Sequence, residues 1–161
     1  MAKSFSHQMR YDGASIEQVA AMLGDVAFRE EVCDHQRVIR HEVAITPAGQ
    51  GKSVRIEQFQ PAQGIPSFAK KFVGNEVHIV QEEQWSSATE GDLHVSIPGK
   101  PGEMRGTIGL AEVDGGVTET VEVTVKVAIP LVGGKIEGLI ADMLLKALKA
   151  ENKVGRDYLA G

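Results

Sequence analysis

The chain has a single cysteine, Cys33, in 161 residues. No internal disulfide framework can therefore hold it, and it suits a reducing cytoplasm. No stretch reaches about 18 apolar residues without a charge, so no spanning helix is expected. The opening "MAKSFSHQMRYDG" has no apolar segment, so no signal peptide is expected either. Basic residues are outnumbered, 17 Lys and Arg against 22 Asp and Glu, for a net charge of −5. Nucleic acid and anionic membrane are thus poor candidates for a main partner. Repeats, low-complexity tracts and linkers are missing as well, which leaves one domain over residues 1–161. What is present, 42% hydrophobic and 24% charged residues, is the composition of a soluble globular chain.

Periodicity gives the elements. Phe5, His7, Met9 and Tyr11 alternate with Ser6, Gln8 and Arg10, which predicts a strand with one buried face. In "SIEQVAAMLGD", Ser15 and Gln18 form a capping box, and Ile16, Val19, Ala20 and Leu23 recur at helical spacing up to a stop at Gly24. Asp25 caps a second short helix, about 26–33. From residue 36 the period is two. Ile39, His41, Val43 and Ile45 share a face, "SVRIEQFQ" follows a turn, and "PAQGIPSFAKKFVG" forms a longer crossing. Val77, Ile79 and Trp85 mark the next strand, then "DLHVSI" and "MRGTIGLAEV". Asp114-Gly115 is a hairpin signal, and Val121, Val123, Val125, Val127 and Ile129 alternate strictly with polar residues in the last strand. One long helix then starts among Gly133, Gly134 and Gly138. A sheet with one apolar face needs a cover, and only this helix is long enough. The expected fold is α+β: a curved antiparallel sheet of about seven strands around a long C-terminal helix, with two short helices after the first strand.

This order, with the segments running from "MAKSF" to "FREEVC", "GIPSFAKKFVG", "IPGKPGEMRGTI" and "IPLVGGKIEGLIADMLLKAL", resembles the START-like, helix-grip superfamily. That superfamily includes plant pollen allergens, lipid-transfer START domains and polyketide cyclases, and the wording resembles an uncharacterised, largely actinobacterial branch of it. The resemblance implies a cavity between sheet and helix that holds an apolar small molecule or lipid. It implies no known reaction.

Motifs of other chemistries fail on spacing. "GQGKS" ends like a phosphate-binding loop, but neither Thr46 nor Pro47 supplies the upstream glycine, and a strand pattern follows where a helix is needed. Cys33-Asp34-His35 has no second Cys or spaced His pair beside it, so no metal or other cofactor is expected. No G-x-S-x-G elbow is present. Parity turns His7 and His41 inward and His94 outward. An inward histidine serves as ligand partner or acid–base group, or is simply a buried neutral ring satisfied by backbone or water. Glu82 and Glu83 point to opposite faces, with Glu83 expected half-solvated near a sheet end. Trp85 is read as cavity wall or plain core. Phe68 and Phe72 beside Lys70 and Lys71 suggest a lid at the cavity entrance, with brief membrane contact as the alternative.

On the long helix, Lys135, Asp142, Lys146, Lys149 and Lys153 form a polar stripe opposite Ile136, Ile140, Met143, Leu144, Ala147 and Val154. Gly133 falls at the centre of the apolar face, and Glu137 projects from it. The glycines either let the helix approach the last strand or leave free volume at one end of a cavity anchored by Glu137. The expected ligand wall is Met9, His41, Trp85, Val125, Gly133, Ile136, Glu137, Ile140 and Met143. Three functions compete: a non-enzymatic carrier of an apolar small molecule or lipid, a cyclase- or dehydratase-like enzyme using His7, His41 or Glu137, and an interaction module with a filled core. The sequence leaves the oligomeric state open.

Overall fold

A computed structural model describes residues 2–62 and 64–161. Its elements run β1 (Ala2–Asp12), α1 (Ile16–Leu23), α2 (Val26–His35), β2 (Arg40–Ala48), β3 (Gly51–Pro61), α3 (Ser67–Val73), β4 (Glu76–Trp85), β5 (Glu90–Ser96), β6 (Gly102–Val113), β7 (Gly116–Val127) and α4 (Gly133–Leu159). The seven strands form one antiparallel sheet in the order β1-β7-β6-β5-β4-β3-β2, open at β1 and β2. The step from β1 to β2 crosses the sheet, and α1 and α2 fill that crossover. The α+β helix-grip architecture is the one the alternation predicts.

Local chemistry sets the boundaries. The Gln18 N–H donates to Ser15 Oγ at 3.1 Å while the Ser15 N–H donates to Gln18 Oε1 at 2.9 Å, closing the capping box of α1. Asp25 Oδ1 accepts from the Ala27 N–H at 2.9 Å and starts α2. Asp114 and Gly115 take φ of 47° and 77°, the left-handed pair that a two-residue hairpin between β6 and β7 demands.

The details differ from expectation in four places. Residues 61–74 contain a seven-residue helix, α3, started by Pro66, although Gln63 within that crossing lies outside the described residues. Strand β7 begins five residues before Val121 and stops at Val127, because Ile129 enters the Pro130 turn. Ile39 precedes β2 and is 48% exposed at the sheet edge. Helix α4 runs to Leu159, well past Glu151.

The core is densest where α1, α2 and the end of α4 meet β1. Met9, Val19, Met22, Leu23 and Phe28 are wholly buried there with Tyr11. Burying such a side chain contributes about 1.5–3 kcal/mol of transfer free energy. Along the middle of α4 the packing loosens. Met143, Leu144, Ala147 and Leu148 are only half-buried between the buried Ile140 and Glu151, because empty space lies beneath them.

Candidate functional site

Two chambers of about 60 Å³ each lie between the sheet and α4. They share Gln58, Gln81, Val95, Leu144 and Ala147 and therefore lie side by side, as an inner and an outer half of the space under the helix. The outer half is apolar, walled by Ile136, Ile140 and Met143 of α4, Phe72 of α3, and Val77, Ile79, Ile97 and Met104 of the sheet. The inner half ends in charge: Arg29, Glu83, Glu119 and Glu151 line it with Cys33 and Gln36. An open groove of about 720 Å³ leads in between the end of α2, the β3–α3 connection and α4. It shares Gln36 with the inner half and Gln60, Ile65, Leu139 and Met143 with the outer half. Lys146, Lys149 and Lys153 rim it.

The inner end is built from four elements. Arg29 on α2 is 3% exposed and donates from Nη1 and Nη2 to the two carboxylate oxygens of Glu83 on β4, at 3.0 and 2.8 Å. Its Nε donates to the Leu23 carbonyl at 2.9 Å, which fixes the guanidinium plane. Glu83 also accepts from Trp85 Nε1 at 2.9 Å and Gln81 Nε2 at 2.7 Å. Burial works against the Glu83 carboxylate, but the Arg29 charge and these hydrogen bonds outweigh it and hold its carboxyl below the usual range.

Glu119 on β7 and Glu151 on α4 lack that support. Glu151 Oε1 stands 4.0 Å from Arg29 Nη1, and Glu119 Oε1 is buried with no hydrogen-bond partner among the described residues. Burial pushes the Glu151 carboxyl up to about 7 against the pull of Arg29. Burial, and then the charge of Glu151, pushes Glu119 well above the usual carboxylate range. Glu119 thus presents to the cavity a carboxyl that holds its proton more tightly than an exposed one.

The residues singled out in the sequence go to different places. Ile136, Ile140, Met143 and Phe72 line the outer half, while Phe68 lies on the outer side of α3, 37% exposed. Met9 and Val125 are fully buried core away from both halves. Trp85 is core as well: its ring packs against Gly91 and under the Lys52 ammonium, 4.3 Å from the ring centre.

The acid–base candidates do not converge. His41 faces α2, with Nε2 at 3.3 Å from Asp34 Oδ1 and Nδ1 at 3.9 Å from Glu30 Oε2. His7 is half-buried on β1, where burial and then the charge of Lys149 lower its pKa. Glu137 accepts the Val127 N–H at 2.8 Å and ties the start of α4 to the end of β7. None of the three lines either half of the cavity.

Gly133 does not line it either. A Cβ there would stand 2.6 Å from the Val127 carbonyl oxygen, so the glycine serves close approach of helix and strand. The cavity lies under residues 136–151 instead. Glu83, expected half-solvated, is 1% exposed because Arg29 draws it inward. His94 sits on the other face between Glu82 and Glu103, at 3.9 and 3.6 Å.

The sequence reading missed Arg29, Glu119 and Glu151, although two of them carried a signal. Glu119 continues the inward parity of Val121–Val127 by one more step. Glu151 follows Gly133 by eighteen residues, about five whole turns, and so lies on the same central line of the apolar face.

A single antiparallel sheet gripping one long helix, with space between them, is the helix-grip fold. Residues 6–159 match the family described as "Protein of unknown function (DUF2505)", and the chain belongs to it. An uncharacterised protein of Mycobacterium tuberculosis is 29% identical over 102 residues, 60% of this chain and 59% of that protein. The chain thus spans less than two thirds of the length of the curated relatives it matches. Among solved structures, the di-domain ARO/CYC StfQ of the steffimycin biosynthetic pathway superposes with a TM-score of 0.69 at 10% identity, over 98% of this chain and 50% of that one. Norcoclaurine synthase from Thalictrum flavum gives a TM-score of 0.60 at 13% identity, over 96% and 86% of the two chains. At such identities the likeness is one of fold. No helix among the described residues is long and apolar enough to cross a membrane.

Proposed function

We propose that this protein binds and carries an apolar small molecule or lipid between the sheet and α4. The observation that carries the proposal is that the groove lies directly beside both halves of the cavity, with wall residues in common. The groove, at about 720 Å³, has the size of ordinary small-molecule sites, whereas the internal halves accept only the tip of such a ligand. A lipid-sized guest would lie mostly in the groove or spread α3 from α4. On this proposal residues 1–161 act as one START-like domain in the cytoplasm, without stable membrane insertion. The mid-helix gap weighs against an interaction module with a filled core.

The test is organic-solvent extraction and native mass spectrometry of purified protein, with titration of an apolar fluorescent dye. Ala147 borders both halves, so Ala147→Phe should fill the junction and weaken dye binding about ten-fold or more, the cost of losing roughly 1.4 kcal/mol. Unchanged dye binding in a folded Ala147→Phe protein, with nothing co-purifying from the native chain, would sink the carrier.

A second reading, a cyclase- or dehydratase-like enzyme on a polyketide-like substrate, is favoured by two carboxyls of raised pKa in one chamber. Protonated Glu119 would pass its proton to a departing hydroxyl while ionised Glu151 takes the α-proton, releasing water and leaving a double bond. A β-hydroxyketone probe that stays unchanged in the presence of the protein removes this reading.

A further inference from the structure

We infer that the inner chamber is a head-group subsite for an organic amine, in which Glu119, with Glu151 beside it, receives the ammonium end of a ligand whose apolar body extends past α4. The inference rests on the carrier reading and names the chemistry of its guest.

Three observations support it. Glu119 sits in mid-sheet, between Met9 of β1 and Leu110 of β6, only 1% exposed. Its Oε1 is unpartnered, although the residue lines the chamber. Arg29 is already engaged by the Glu83 carboxylate and the Leu23 carbonyl through three of its five N–H groups, whereas Glu119 Oε1 has no partner among the described residues.

Charge balance then indicates what is missing. The ionisable groups turned to this end are Arg29 and Cys33 of α2, Lys52 of β3, Glu83 of β4, Glu119 of β7, Glu151 of α4 and Tyr11 of β1. Burial pushes the Cys33 thiol up to about 11 and the Tyr11 phenol higher still, so both are neutral. Two cations remain against three carboxyl groups, so the third carboxyl has no cation to pair with were it to ionise. With the chamber empty, a proton on Glu119 supplies the balance. Among the described residues no three His, Cys, Asp or Glu side chains converge closely enough to hold a metal ion. An ammonium is the monovalent substitute. It enters protonated, Glu119 gives its proton to solvent, and an ion pair replaces the buried O–H. A fatty acid or other anionic head would bring a further acidic group beside Glu83, Glu119 and Glu151 and is disfavoured.

The test compares n-hexylamine, n-hexanol and n-hexanoate by titration calorimetry, in about 0.15 M salt to screen surface binding. Two buffers of different ionisation enthalpy count the protons released. Hexylamine should bind at least about ten-fold more tightly than hexanol, release protons to the buffer on binding, and tighten as pH rises from 6 to 8, by no more than about ten-fold per pH unit. Glu119→Gln, shown folded by circular dichroism, should lose the amine preference and keep hexanol binding. Should that variant not fold, Glu151→Gln and the proton count on the unmodified protein decide the matter. Hexanol binding as tight as hexylamine, with no proton release, overturns the amine subsite and leaves the carrier standing. Failure of all three probes and of the apolar dye overturns both.

Discussion

Arg29 and Glu83 bury opposite charges against one another at 3% and 1% exposure, so each depends on the other for solvation. Without the guanidinium, Glu83 would keep only the donors Gln81 and Trp85. Replacing a well-made buried pair with apolar groups is often neutral, but removing one partner costs about 3–5 kcal/mol. Arg29→Met should therefore destabilise the fold by about that much in urea denaturation at pH 7.5. The loss should shrink at pH 5, where the stranded carboxylate takes up a proton and no longer has to be buried charged. A loss below about 1 kcal/mol would show that Glu83 turns to solvent when freed, and that the pair does not organise this end of the cavity.

At the scale of elements, α4 has two kinds of glycine. Gly133 meets the Val127 carbonyl, a backbone atom that cannot rotate away, whereas Gly138 meets only the flexible tip of Lys3, at 3.9 Å from an added Cβ. Gly133→Ala must lift the helix from β7 and strain the bond between Glu137 and the Val127 N–H, a loss of about 1–3 kcal/mol. Gly138→Ala should instead gain roughly 0.5–1 kcal/mol from helix propensity alone. Thermal unfolding of the two variants should move in opposite directions, and a shared sign would remove the close-approach account of Gly133.

The same helix shows what a sequence can and cannot carry. Its polar stripe from Lys135 to Lys153 is exposed as the periodicity predicts, and so are the alternating faces of β7, because both follow from one element's own geometry. The cluster at the cavity end joins α2, β4, β7 and α4, whose register against one another is set by sheet order and helix crossing. Parity placed Glu83 on the inner face, yet only the position of Arg29, fifty-four residues earlier, decides that it is buried. His41 shows the converse: parity gives its face, but α2 covers that part of the sheet and supplies Glu30 and Asp34 as its neighbours.

For the whole molecule, the unbalanced carboxylates link folding to pH. Glu151 in the folded state titrates at about 7, above its unfolded value near 4.5, and Glu119 is raised as well. Folded protein thus holds protons that the unfolded chain has released. Stability contributed by these groups is full below the unfolded value and is lost as pH climbs through the folded one, at about 1.4 kcal/mol per pH unit for each proton held. His7 has the opposite sign: its lowered pKa reduces stability as pH falls below 6.5. Between pH 6.5 and pH 8 the carboxyls act with little opposition from His7, so urea midpoints should fall as pH rises. Glu151→Gln keeps a neutral group of the same shape, and should flatten that slope and exceed the native protein in stability at pH 8. A native midpoint that stays level or rises over the interval would mean that Glu119 and Glu151 are solvated and ionised throughout. The chamber would then already be charged and wet before any guest arrives.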